Sequence, residues 1–206
     1  MEKGRWLRLA EGGGLAQLAP KFALVLNALQ RAPGPALVYS DFRQVEGLAL
    51  LTAALDTAGW VRLQLRGGRV VLPPVGRRAA PRYLVHGALH DDPEADSPEA
   101  KRLLLALFNG EFDKVPAAVL QDLRDLGSPP GRTRPTQHGT PSNLHGEIAK
   151  VLLISRSGAE GITTRNVREV HILEPFWHAN RVEQVVGRAV RAHSHDADVE
   201  KTGLHA

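Results

Sequence analysis

Arg181, Gln184, Arg188 and Arg191 follow one another at offsets of three, four and three. At about 3.6 residues per turn, such offsets align side chains in one stripe of a helix. Val182, Val185, Val186, Ala189 and Val190 take the other side, which suits packing against a sheet. Gly187 and the valines are poor helix formers, so tertiary packing must hold this helix. A guanidinium presents a planar fork that grips two phosphate oxygens at once, which an ammonium cannot do. On spacing alone, a solvated basic face is the plainer reading, because charged helix faces are usual.

Other stretches offer phosphate chemistry by a different route. The run Ser155-Arg156-Ser157-Gly158-Ala159-Glu160-Gly161 follows the apolar Val151-Leu152-Leu153-Ile154. Glycines in such a turn let backbone amides approach a phosphate or a nucleic-acid strand closely. They equally serve a tight strand-to-loop connection. Tyr39-Ser40-Asp41-Phe42-Arg43 follows an apolar run, and Ser40 or Asp41 suits the N-cap of the next helix. His86-Gly87 ends another apolar run, where a histidine is otherwise a polar loop residue. Arg66, Arg69, Arg77, Arg78 and Arg82 make a loosely basic segment, either phosphate-binding or only solvated. Trp177 could stack on a base, although such aromatics more often pack inward. His193-Ser194-His195-Asp196 has no third convergent ligand and reads as a solvated tail rather than a metal site.

The elements that must position these groups alternate. Residues 1–19, with Gly12-Gly13-Gly14, read as a flexible lead-in. Phe22, Val25, Leu26 and Leu29 recur at helical spacing until Pro33-Gly34-Pro35 stops them. A short buried strand is expected over 36–39, then a helix on Val45, Leu48, Leu51, Leu55 and Ala58, with Gly59 at its C-terminal cap. Strands are expected over 61–65 and 83–86, with a short one possible at 70–72. An acidic loop over 91–97 leads to Pro98, which suits the first turn of a helix reaching Phe108. Another helix covers about 116–125. Residues 127–146 are rich in Pro, Gly, Ser and Thr and read as an irregular insertion rather than a core element. Strands at 151–154 and 169–173 and the arginine helix complete the pattern. Such alternation specifies an α/β fold, a parallel sheet with helices on both faces. Ligands of such sheets bind at the carboxyl ends of the strands.

The order and spacing of Ser155 to Ile162 and Gln184-Val185-Val186-Gly187-Arg188-Ala189-Val190-Arg191 resemble the last two motifs of superfamily 2 helicases, on the second of their two RecA-like domains. The blocks at Lys21-Phe22, Leu37 to Gly47, Phe108-Asn109-Gly110-Glu111-Phe112-Asp113-Lys114-Val115-Pro116 and His171 to His178 are similar to helicases of large DNA viruses, relatives of the poxvirus transcription helicases near the chromatin-remodeller branch. The likeness runs over roughly residues 20–196. It implies a single RecA-like domain over 20–206. Arg188 and Arg191 would stabilise charge on the γ-phosphate of ATP held by another domain. Glu160, Gly161, Gln184 and Gly187 would border the ATP cleft. Ser40, Arg43, His86, Ser155 and Gly158 would meet nucleic acid. The family pattern also places a further strand after the arginine helix. The chain runs only to Ala206, so the domain is expected to be trimmed at that edge.

Composition agrees with a packed, basic domain. The chain has 206 residues, 43% hydrophobic, with a net charge of +4 and no cysteine. That excludes disulfide frameworks and thiolate metal sites, and it permits nucleic-acid contact without requiring it. No apolar run is long enough for a membrane span and no signal peptide opens the chain, so an intracellular setting is expected, in host cytoplasm or nucleus or in a virion. No Gly-x-x-x-x-Gly-Lys-[Ser/Thr] loop, magnesium-binding Asp-Glu-x-His or Gly-x-Gly-x-x-Gly fingerprint is present. ATP and Mg2+ would therefore be held mainly by a P-loop-containing partner domain on another chain. The chain alone is expected to be inactive as an ATPase. The expected function is part of an ATP-dependent helicase or translocase on DNA or RNA. The alternative is a non-catalytic nucleic-acid-binding or assembly module that keeps the fold.

Overall fold

The computed structural model describes residues 15, 17, 19–43, 47–87, 94–126, 142–159, 162–174 and 179–189. The expected lead-in over 1–19 and most of the insertion over 127–146 lie outside the described residues.

Among the described residues, five strands form one parallel sheet: β1 (Ala36–Ser40), β2 (Val61–Arg62), β5 (Arg82–His86), β6 (Val151–Ser155) and β7 (Glu169–Ile172). Their order is β2-β5-β6-β1-β7, all neighbours parallel. The apolar runs in β1, β5 and β6 are continuous because both faces are covered. Side chains still alternate between the faces. Ala36, Val38, Tyr83, Val85, Val151 and Leu153 pack with α1 (Pro20–Arg31), α2 (Leu48–Thr57) and Trp60. Leu37, Tyr39, Leu84, Leu152 and Ile154 face the opposite core, with α3 (Pro98–Asn109) and α4 (Ala117–Leu126).

Local signals set most helix ends. Pro20 opens α1, and Phe22, Val25 and Leu29 are its buried face. Ser97 caps α3 by accepting from the Ala100 N–H at 3.1 Å, with Pro98 in the first turn. Gly59 ends α2 in the left-handed region (φ 85°), with Trp60 N–H bonded to Leu55 C=O at 3.0 Å and Gly59 N–H to Asp56 C=O at 3.1 Å. This double closure satisfies carbonyls that the helix leaves unpaired.

Three expectations change. The strand expected over 61–65 is broken: only Val61–Arg62 joins the sheet. Leu65–Arg66 (β3) instead pairs antiparallel with Arg69–Val70 (β4). Gly67 and Gly68 both take positive φ, 56° and 69°, the requirement of a tight two-residue hairpin. The cap of α2 is neither Ser40 nor Asp41. Gly47 holds that position without a side-chain cap, and the carbonyls of Phe42 and Arg43 accept from Leu48 N–H (3.0 Å) and Ala49 N–H (3.2 Å). Finally, the end of the insertion belongs to the core. Asn143 is 2% exposed. Its amide donates to Phe108 C=O (2.7 Å) and Ala149 C=O (3.1 Å), and its oxygen accepts from Ile148 and Ala149 N–H, both 2.9 Å.

Candidate nucleic-acid interface

The sheet topology gathers residues that are far apart in sequence. Ser40 and Ser155 end adjacent strands in direct register, and His86 is level with Ile154 on the next strand. All three therefore lie along the carboxyl edge, at β1, β6 and β5. Arg43 reaches back across this edge, its Nε donating to Ser155 Oγ at 3.0 Å. Gly158 sits in α5 (Arg156–Ala159), the single helical turn after β6. A Cβ there would lie 2.6 Å from the His86 carbonyl oxygen and 3.2 Å from His86 Nδ1, so only glycine allows this approach. Thus Ser40, Arg43, His86, Ser155 and Gly158 form one constellation.

Most of that constellation is enclosed. Ser40 and Ser155 are buried, Arg43 is half-buried and Arg156 is exposed. The Ser40 hydroxyl donates to Glu174 Oε1 at 2.9 Å, and Asp41 N–H donates to Glu174 Oε2 at the same distance. Tyr39 Oη donates to Asp41 Oδ1 at 2.7 Å. Glu174 thus ties the start of the loop after β1 to the end of β7. His86 is 6% exposed, and Nδ1 lies against the Gly158 backbone with no hydrogen bond of good geometry among the described residues. Burial first, then the positive charge of Lys101, holds its pKa below the ordinary histidine value, partly offset by the Gly158 backbone and Asp96. A neutral imidazole at this edge follows.

The arginine helix forms over Ala179–Ala189 (α6). Val185 is buried against the core and Val182 and Val186 are half-buried, while Glu183, Gln184 and Gly187 are exposed. A Cβ at Gly187 would meet nothing within 4 Å. The backbone of Arg188 lies in α6, and its side chain is outside the description. Arg191, Glu160, Gly161, Trp177 and His193 to Asp196 lie outside the described residues.

The basic segment has a structural explanation at four of its five arginines. Arg82, buried, donates to the carbonyls of Ile148 (2.7 Å), Arg78 (2.6 Å) and Glu147. Burial lowers its pKa to about 10, which leaves it charged at neutral pH. Arg77 donates to Trp60 C=O at 2.9 Å and Arg78 to Asp125 C=O at 3.0 Å. Arg69 forks onto Asp122, which also accepts from Val70 N–H at 2.9 Å. The two guanidinium bonds hold Asp122 below the ordinary carboxylate range. Arg66, on the hairpin, is exposed.

Two residues that organise this region lie in blocks that resemble viral helicases, yet their individual roles were not legible in the sequence. Nothing local reveals the role of Glu174, because its partners lie more than a hundred positions away. Asn109 ends α3 and pins the strand approach to β7: its Nδ2 donates to Thr163 C=O and its Oδ1 accepts from Arg165 N–H, both 2.9 Å. Among the described residues no group of His, Asp and Glu could hold a metal ion, and no helix is long and apolar enough to cross a membrane.

Comparison with known proteins finds helicase relatives. The sequence pattern of the helicase conserved C-terminal domain matches residues 136–193. A termination factor NPH-I homolog of African swine fever virus (isolate Tick/Malawi/Lil 20-1/1983) is 32% identical over 185 residues, covering 87% of this chain and 24% of the relative. A protein of Acanthamoeba polyphaga mimivirus, provisionally named as an ATP-dependent RNA helicase, is 27% identical over 186 residues, 90% of this chain and 24% of the relative. The chain thus spans about a quarter of the length of these relatives. No solved structure matches it. The parallel α/β sheet, the helicase conserved C-terminal match over residues 136–193 and the viral relatives aligned along most of the chain's length make it similar to the superfamily 2 helicase C-terminal (second RecA-like) domains of the type found in large DNA viruses.

Proposed function

We propose that this chain is the C-terminal, second RecA-like domain of an ATP-dependent nucleic-acid helicase or translocase. The observation that carries the reading is the convergence of Ser40, Arg43, His86, Ser155 and Gly158 at the carboxyl edge of adjacent strands. Nucleic acid would lie along this edge, with Arg43 and Arg156 toward phosphates. Ser40 and Ser155 act from beneath, fixing the loop and the Arg43 guanidinium. Binding would be sequence-tolerant, because such contacts read backbone rather than bases.

ATP and Mg2+ would sit between this domain and one carrying a P-loop, which supplies the phosphate cradle. From this side Glu160, Gly161, Gln184 and Gly187 would border the nucleotide, and Arg188 and Arg191 would stabilise charge on the transferring phosphoryl group. The polarity of α6 supports this: Val185 anchors it inward while Gln184 and Gly187 are open on its outer side. Its work would be done inside the infected cell or the virion, if its source is a virus.

The test is ATPase activity of the chain joined to, or mixed with, a P-loop-bearing N-terminal helicase domain. The chain alone should show no turnover. With the partner, nucleic acid should stimulate turnover, and Arg188→Ala or Arg191→Ala should reduce it about a thousandfold or more. ATP affinity should change less, because the contact strengthens as charge develops. If both folded variants retain near-normal turnover, the arginine assignment is wrong. If no partner restores turnover while nucleic acid still binds, the chain is a non-catalytic binding or assembly module.

A further inference from the structure

Resting on the nucleic-acid reading above, we propose that Phe42 is a base-stacking platform for single-stranded nucleic acid. The residue is 53% exposed. Among the described residues every other aromatic ring is buried or half-buried: Phe22, Tyr39, Trp60, Tyr83, Phe108 and Phe112. Phenyl rings favour burial, so one left in water at a polar edge calls for a reason.

A slack loop does not supply that reason, because the backbone on both sides of the ring is pinned. Phe42 N–H donates to Ser40 Oγ at 3.1 Å, and Phe42 C=O accepts from Leu48 N–H at 3.0 Å. Asp41 N–H is held by Glu174, and the Arg43 side chain by Ser155. Gly47 presses against the same loop so closely that a Cβ would lie 1.9 Å from the Phe42 carbonyl oxygen. The ring is thus presented outward from a fixed backbone. A preset platform lowers the ordering cost of binding.

The surroundings select the occupant. Arg43 is adjacent in sequence, and the exposed Arg156 follows Ser155 at the end of the neighbouring strand. Among the described residues the carboxylates on this loop and at the end of β7 are engaged, Asp41 by the Tyr39 hydroxyl and Glu174 by Ser40 and the Asp41 amide. A protein partner would need a continuous apolar patch. Among the described residues the other exposed large apolar side chains, Leu24, Val71 and Val75, lie on α1 and between β4 and β5 instead. One exposed ring on a strand-end edge that also carries Arg43 and Arg156 suits one base and its flanking phosphates. An unpaired strand leaves base faces free to stack, which a closed duplex does not.

The experiment uses the full 206-residue chain and measures its affinity for a labelled oligo(dT) and for an abasic strand of equal length, at fixed salt. Phe42→Ala should weaken oligo(dT) binding about tenfold or more and leave abasic binding unchanged. Phe42→Tyr should keep the affinity, whereas Phe42→Leu, apolar but without a π face, should behave like alanine. The salt slope of Phe42→Ala should equal that of the parent, because no phosphate contact is lost. Equal weakening on both strands, with the variants melting like the parent, would assign the ring a structural role and overturn the proposal. So would undiminished oligo(dT) binding by Phe42→Ala, which would leave the nucleic-acid reading standing. Failure of the parent to bind either strand would overturn both.

Discussion

Gly158→Ala tests whether the approach of α5 to β5 builds the candidate site. The new Cβ would stand 2.6 Å from the His86 carbonyl oxygen and 3.2 Å from its Nδ1. The first distance is about 0.8 Å short of an ordinary van der Waals contact. The imidazole has some freedom, but the carbonyl is backbone at the end of a strand paired in register with β6. Relief must therefore come from α5 moving away, carrying Arg156 and disturbing the contact of Arg43 with Ser155. Overpacking of this kind costs about 1–3 kcal/mol. Alanine's better helix propensity returns at most about 1 kcal/mol, and less in a helix of one turn. A net loss of about 1–2 kcal/mol lowers the melting temperature of a domain this size by roughly 2–8 °C. Thermal unfolding measures that loss, and single-strand affinity should fall several-fold in parallel. Gly76→Ala, where a Cβ meets nothing within 4 Å, is the control and should melt within about 0.5 kcal/mol of the parent. If Gly158→Ala melts and binds like this control, the packing argument for the site is refuted.

Two further outcomes follow from buried polar groups. Asn143→Ala removes two donors and two acceptors from the core and leaves the backbone of Phe108, Ile148 and Ala149 unpaired. It should cost about 3–5 kcal/mol in urea unfolding, and a loss below about 1 kcal/mol would show that relaxation or water replaces the amide. His86 has a folded pKa below its unfolded value, so the unfolded chain binds the extra proton first. Its contribution is complete above the unfolded pKa of about 6.5 and is lost as pH falls through the folded value. Stability profiles of the parent and His86→Asn should therefore converge below about pH 6.5, and parallel profiles across that range would remove the assignment.

Much of the fold was legible because its signals are local. Apolar runs at 151–154 and 83–86, helical spacing at Phe22, Val25 and Leu29, and stop signals at Pro33-Gly34-Pro35 and Gly59 each act within a few residues. These coincide with β6, β5, α1 and the end of α2. The hairpin at Gly67-Gly68 was equally local, and an adjoining apolar stretch hid it by reading as one strand. The Ser40 and Asp41 cap failed for another reason. Both groups have more demanding partners, Ser40 in Glu174 and Asp41 in the Tyr39 hydroxyl, and neither relationship shows in a short window.

By itself, then, the sequence determined the α/β alternation, the two covered faces of the sheet and the residue types offered at its strand ends, since propensity and periodicity belong to neighbouring residues. Only the tertiary structure decided which strand ends are neighbours. The order β2-β5-β6-β1-β7 sets Ser40 beside Ser155, with His86 on the next strand, although these residues are far apart in the chain. It also decided which polar groups are spent on the fold. Arg69, Arg77, Arg78 and Arg82 bond to a buried carboxylate or to backbone carbonyls, while Phe42 stands in solvent on a pinned loop. Burial and hydrogen-bond partnership depend on the packing of distant elements. A charged or aromatic residue acquires its role only when that packing sets what lies against it.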